Sequence, residues 1–491
     1  MRLEDRTLSD TSAQTKLPET GCEEETMTIR KKRVSFWIVA LSLSLVFASS
    51  IGAFAQANYG FYGGKPADPR DPGVRGGFAG AGAPLPSLTA DEAASFDLGL
   101  DAFLEEQSVQ GTIPDTEPGL GPTFNMNSCG GCHAQPATGG TSPFVNPQVD
   151  VATLEGAANQ VPFFISPKGP VREARFAFKD KNRTSRDGGV TNLFTIGGRT
   201  DAPGCSLPQP DFSPATAEAR NLIFRIPTPV FGAGLIEVVS DSTIIENMKA
   251  NAQLKKSLGI SGQPNREGNA GTITRFGWKA QNKSLAIFSG EAYLVEQGVT
   301  NELFPQERNE TPKCLFNPLP EDVSRSNLPS DVELFALFIR FLAPPTPVTA
   351  TPSELRGRAL FESTGCGQCH TPQLTTGVTT VAVLSNKPVG LYSDLLVHNM
   401  GPRLADGITQ GNAGGSEFRT APLWGLGQRI FFLHDGRTDD LLVAIRSHAS
   451  RQGAASDGTV YPASEANGVI ANFEALTTAK QQDILNFLRS L

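Results

Sequence analysis

The sequence predicts a mainly α-helical protein made of two related helical halves, the first enlarged by loop-rich insertions. Three observations predict it. A five-residue run occurs twice, CGGCH at Cys129–His133 and CGQCH at Cys366–His370. Pieces of the surrounding chain repeat with it. FRIPTPVFGAG from Phe224 resembles FRTAPLWGLG from Phe418 with one residue gapped, and FGWKAQNKSLAIF resembles LHDGRTDDLLVAI, placed with Trp278 opposite His434 and Leu285 opposite Leu441. Each half also closes on an apolar-rich helix pattern. These are SDVELFALFIRFL with Ser330 as N-cap, and TTAKQQDILNFLRSL with Thr477 or Thr478 in that role.

In chain order, residues 1–57 read as an N-terminal extension and a cleaved signal peptide. The first 26 residues are polar, so the start lies at Met1 or Met27. From Met27 a basic cluster, Arg30 to Arg33, precedes an apolar stretch beginning at Phe36, and Ala53, Ala55 and Ala57 supply A-x-A cleavage spacing. A Sec-type signal implies a periplasmic protein. The alternative is an uncleaved anchor, and only then would the protein associate with a membrane. Residues 58–86 form a Gly/Pro-rich linker. Thr89 can cap the helix DEAASFDLGLDAFLEEQ upstream of Cys129. The first half spans 87–343, and a Pro-rich linker covers 344–352. Thr351 or Ser353 can cap SELRGRALFES just before Cys366, and the second half spans 353–491.

Composition narrows the classes. The chain has 491 residues, enough for two or three domains, with 50 Gly and 36 Pro to make many turns and long loops. A formal net charge of −8 gives no basic footprint for nucleic acid. Of seven cysteines, four lie in the two runs and Cys22 precedes the signal; Cys205 and Cys314 either pair or remain as two buried thiols.

The repeated run carries chemistry. Two thiols a short turn apart can form thioethers with the vinyl groups on one porphyrin edge, and the following His is then carried under the iron. A structural zinc site usually needs four N/S ligands, whereas only His follows each pair here. The runs therefore predict two covalently bound haem c groups, held by Cys129 and Cys132 and by Cys366 and Cys369, with His133 and His370 as proximal ligands. Attachment of this kind takes place outside the cytoplasm, in agreement with the export signal. The two halves then become cytochrome c-like haem domains. Only five histidines exist, and none besides His133 lies in the first half. The sixth position of the first iron is thus open, water-filled, or taken by a weaker group such as Met126.

GLGPTFNMNSCGGCH, RFGWKA, VEQGVTN, YSDLLVHNMG, FRTAPLWGLG and FFLHDGRT, in that order, make the chain resemble the di-haem oxidoreductase family. That family is kin to bacterial di-haem cytochrome c peroxidases and to the MauG-type enzymes that mature tryptophan tryptophylquinone. The resemblance implies that peroxide reacts at the N-terminal haem while the C-terminal haem receives and stores electrons from a small electron-donor protein. It implies a distal carboxylate at Glu296, with Glu237 as runner-up, and an electron-relaying Trp278 between the haems. The slot for the sixth ligand of the second haem, usually Met in the kin, falls here on His448, with Met400 and His398 competing. His434 would orient the haem neighbourhood, Arg419 and Arg437 would meet propionates, and a calcium ion between the haems stays open. The function implied is a peroxidase-like oxidoreductase. The alternatives are a pure electron-transfer di-haem cytochrome c, and MauG-like oxidation of a protein or organic substrate.

Overall fold

The helix-capping signals hold where they can be checked. Thr89, Ser330 and Thr351 each accept a hydrogen bond from the backbone N–H of the glutamate three residues on, and that glutamate reaches back to the cap N–H. Thr477 precedes its helix without a side-chain cap. The computed structural model describes residues 68–491 apart from 181, 187–188, 213–220, 267–270 and 327. The N-terminal extension and signal peptide, 1–57, lie outside the described residues. Among the described residues no helix is long and apolar enough to cross a membrane.

The duplication is visible in the packing. Helix Ala90–Leu104 crosses helix Asp331–Phe341 in the first half, and helix Pro352–Thr364 crosses helix Thr478–Ser490 in the second. Both crossings need a glycine. A Cβ on Gly99 would stand 2.4 Å from the Leu334 carbonyl, and one on Gly357 would stand 1.9 Å from that of Asp483. The repeated VFGAG and LWGLG segments dock alike against the ends of these closing helices. A Cβ on Gly234 would meet the Arg340 carbonyl at 2.0 Å, and one on Gly427 the Arg489 carbonyl at 2.1 Å.

The mainly α expectation is corrected: 29% of the structure is helix and 14% strand, which makes the architecture mixed. Each predicted helix exists, but the long connections between them carry no helical period. Their backbone groups are satisfied instead by strand pairs of two to four residues. The largest is an antiparallel three-stranded sheet in the order Val190–Thr191, Glu173–Phe176, Leu222–Arg225, with Glu173 opposite Arg225. In the second half Val397–Asn399 pairs antiparallel with Glu417–Arg419.

Residues 64–491 form one compact unit, and its largest core crosses the duplication: Phe338 and Leu342 pack in one cluster with Leu391, Leu396 and Trp424. Residues 68–86 run as a strap over both halves. Leu85 N–H bonds the Phe341 carbonyl at 2.7 Å and Arg75 N–H that of Gly427 at 2.7 Å, while Asp71 forms a buried ion pair with Arg489 at 2.5 Å. Cys205 and Cys314 are joined in a disulfide beneath the first half, which decides between the two readings of those thiols.

Candidate haem sites

Two cavities are each built on one CxxCH run. The first is lined by Cys129, Cys132, His133, Met126, Trp278 and Glu296 among others. His133 is held by its Nδ1, which donates to the Gly140 carbonyl at 2.9 Å, and Phe103 meets the ring edge-on at 5.9 Å. That bond fixes the ring and leaves Nε2 as the free nitrogen. Burial pushes the imidazole down to about 4, so it is neutral and keeps a lone pair for iron. Among the described residues no second histidine lines this cavity. Met126 packs with its methyl against Gly131 of the run itself.

Glu296 sits on a π-helical turn, Tyr293–Gln297, a distortion often found at functional sites. Its carbonyl accepts from Asn125 N–H at 2.6 Å and Met126 N–H at 3.1 Å. Next to it, the Gln297 amide donates to Cys129 Sγ at 3.1 Å. The turn is thereby stapled to the chain entering the first run, and the Glu296 carboxyl faces the cavity. Burial, then the charges of Glu173 and Glu291, raise that carboxyl to about 8. Glu237, the runner-up, is not on the cavity wall. It accepts from Leu285 N–H at 2.9 Å and pairs with Arg340 at 3.1 Å.

The second cavity gathers Cys366, Cys369, His370, His448, Met400 and Arg419 among others. His370 donates from Nδ1 to the Tyr392 carbonyl at 3.0 Å, and His448 donates in the same manner to Ala444 at 2.9 Å, each leaving Nε2 free. Burial pushes both imidazoles down, and His448 adds to the shift on His370. His398 cannot ligate in this arrangement, because Asp394 holds its Nε2 and Glu465 its Nδ1, both at 3.0 Å. Burial opposes its protonation, but Cys369 and Asp394 outweigh that and hold the ring well above the usual imidazole range. Met400 does line the cavity.

Two buried arginines, Arg419 and Arg429, face this second cavity, and burial holds both down to about 10, Arg419 also feeling the charge of Arg429. Among the described residues neither forms an ion pair, and the Arg419 Nε has no hydrogen-bond partner. Uncompensated buried cations of this kind call for an anion, and haem propionates supply one. The first cavity has a counterpart in Arg172, which lines it with an unpartnered Nε. Thiol pairs, free imidazole nitrogens and guanidinium groups without an ion pair among the described residues therefore fit one haem in each cavity. Arg437 is not among these groups. It bonds Asp435 and the Arg403 carbonyl near the surface.

Trp278 lines both cavities. Its indole N–H donates to the Ile226 carbonyl at 2.9 Å, Ile226 N–H donates to His434, and Arg419 N–H donates to the Trp278 carbonyl. His434 lies edge-on to Trp278 at 6.4 Å and stacks on Phe418 at 4.3 Å. The sequence reading missed Arg429, Arg172 and Glu173. Arg429 had a signal, a charge opening the apolar run RIFFL, where a buried cation is uncommon. Arg172 and Glu173 had none. Among the described residues the one group of three metal-capable side chains, Cys369, Asp394 and His398, mixes thiol and imidazole with one carboxylate. Calcium takes an all-oxygen set, so this group does not fit it.

A model of the family described as "Di-haem oxidoreductase, putative peroxidase" matches residues 193–491. No curated protein is similar enough to the chain to match it. Solved structures are also similar at low identity, three of them as follows. Hydrazine synthase of Kuenenia stuttgartiensis is 13% identical over 90% of this chain and 99% of its own, with a TM-score of 0.33. The diheme peroxidase BthA of Burkholderia thailandensis is 16% identical over 44% of this chain and 65% of its own, with a TM-score of 0.29. A MauG-like protein associated with microbial copper homeostasis is 18% identical over 54% of this chain and 90% of its own, with a TM-score of 0.29.

Proposed function

The chain belongs to the di-haem oxidoreductase family, and from that premise we propose that this two-haem oxidoreductase is an exported enzyme reducing peroxide in its first cavity. The observation that carries the reading is an asymmetry. The first cavity pairs a single histidine with a carboxylate, Glu296, whereas the second is lined by both His370 and His448, each with a free Nε2.

Cys129, Cys132 and His133 would hold the first haem covalently, and Cys366, Cys369, His370 and His448 the second, within the two halves 87–343 and 353–491. Haem iron, when bound, supplies the centre that coordinates peroxide and exchanges electrons. Glu296 takes the proton from the inner peroxide oxygen and returns it to the outer one, which then departs as water. Trp278 bridges the cavities as the electron path. Arg419 and Arg429 neutralise propionates of the second haem, and a small donor protein supplies the electrons. The Cys205–Cys314 disulfide supports an oxidising compartment, as the signal-like segment before residue 58 requires of a periplasmic protein.

The test is EPR of the half-reduced holoprotein, followed by mixing with hydrogen peroxide. The expected result is one open haem, rapid peroxide consumption, and loss of that consumption in Glu296→Gln. Two haems that stay six-coordinate and unreactive after half-reduction would make the protein an electron carrier instead. An open haem that consumes peroxide only when an organic or protein substrate is present would make it MauG-like.

A further inference from the structure

We propose that Glu173 and Glu296 act as one proton-sharing pair on the wall of the first cavity, with Glu173 relaying solvent protons to Glu296. This rests on the peroxide-reducing reading above and adds a residue that reading does not use.

Two separate elements bring the carboxylates to one cavity. Glu173 opens the middle strand of the three-stranded sheet, Glu296 lies on the π-turn, and both line the same cavity. Among the described residues neither carboxylate accepts a hydrogen bond or forms an ion pair. Other acids in the interior are pinned: Asp406 by Arg225 and Lys279, Asp201 by Arg199 and Val109 N–H, Asp394 by His398 and Leu396 N–H. A carboxylate with both oxygens unengaged on a cavity wall is free to exchange a proton.

The surroundings make the pair unequal. Glu173 is faced by Arg225 on the neighbouring strand, by Arg175 on its own strand and by Arg308 from a loop, besides Glu291. Glu296 is faced by acids alone, Glu173 and Glu291. Like charges facing one cavity disfavour each other's ionisation, and the pair then titrates as a unit. Burial raises both carboxyls, and the arginines hold the rise of Glu173 in check, so Glu296 binds the shared proton more tightly and Glu173 is the first of the two to ionise.

The reaction needs such a supply. Reducing peroxide to two waters breaks the O–O bond and consumes two electrons and two protons. The donor protein provides the electrons through the second haem. Glu296 only moves the peroxide's own proton from one oxygen to the other, so the two added protons must enter the cavity, and Glu173 passes them in.

The experiment compares holoenzyme forms of the wild type, Glu173→Gln, Glu173→Asp and Glu296→Gln by two readouts. One is the pH-dependent carboxyl C=O stretch in infrared difference spectra, and the other is the pH profile of peroxide consumption. Removing the Glu173 charge relieves Glu296. The stretch missing from Glu296→Gln should therefore titrate at lower pH in Glu173→Gln, and the acid limb of the profile should move the same way. Steady-state turnover should fall about tenfold or more with the first turnover preserved, and Glu173→Asp should restore much of it. An unchanged stretch and profile in Glu173→Gln would overturn the proposal, as would a first turnover as slow as that of Glu296→Gln. Should the wild type consume no peroxide, the reading above fails, and the infrared shift alone decides the pair: present, it stands; absent, it falls.

Discussion

The two cavities start from the same five-residue run and end in opposite states. In both, a helix crossing at a glycine holds the run, and the run's histidine gives its Nδ1 proton to a backbone carbonyl. They differ in what the remaining wall provides. The first wall carries two unpinned carboxylates and no further histidine among the described residues; the second carries His448 and two unpaired arginines. On the function proposed above, the shared parts would attach a cofactor, and the unshared parts would decide whether it reacts or relays. A duplicated frame thus specialises through a few wall residues, with its helices left in place.

The comparison breaks most completely at the thiols. Replacing Cys129 and Cys132 with serine should remove one covalent haem from the mass of the denatured protein, and replacing Cys366 and Cys369 should remove the other. Either pair leaving both haems in place would refute covalent attachment there. Next comes Glu296→Gln, which should slow peroxide cleavage by about 10²- to 10⁴-fold. With the Glu296 carboxyl held up at about 8, its base form grows as pH rises through that value. Wild-type cleavage should therefore climb with pH to a plateau above about 8, a limb that stopped-flow traces of Glu296→Gln should lack.

His448→Ala sharpens the contrast without ending the chemistry. The low-spin EPR signal of the second haem should turn high-spin while the first haem's signal is unmoved; disturbance of the first signal alone would assign the ligand to the wrong cavity. The smallest effect tests the shared frame. Gly357→Ala and Gly99→Ala should each lower stability by about 1–3 kcal/mol through overpacking, seen as a reduced melting temperature. Gly357 should cost more, because its added Cβ would stand 1.9 Å from a carbonyl against 2.4 Å at Gly99.

Residues close in sequence and fixed by local chemistry were legible: both runs, the caps at Thr89, Ser330 and Thr351, and the apolar closing helices. The resemblance to the family pointed to Glu296, Trp278 and His448, and all three line a cavity. It did not foresee how His398 is consumed, because Glu465 reaches it from 67 residues away. Glu173 was invisible for a similar reason: its strand pairs with Leu222–Arg225, and a four-residue strand has too short a period to announce which face is inward. The mainly α expectation failed on the connections. Stretches rich in Gly and Pro say that a chain turns, and not that its turns will be closed by strand pairs.

The core shared by Phe338, Leu342, Leu396 and Trp424 makes stability indivisible. Whatever binds the native form and not the unfolded one adds its free energy to the whole cooperative unit. A chain that has received only one of its two cofactors is therefore weakened in both halves, including the one already filled. Cellular proteases, which sample open states, would clear such half-loaded chains without needing to recognise which cavity was missed.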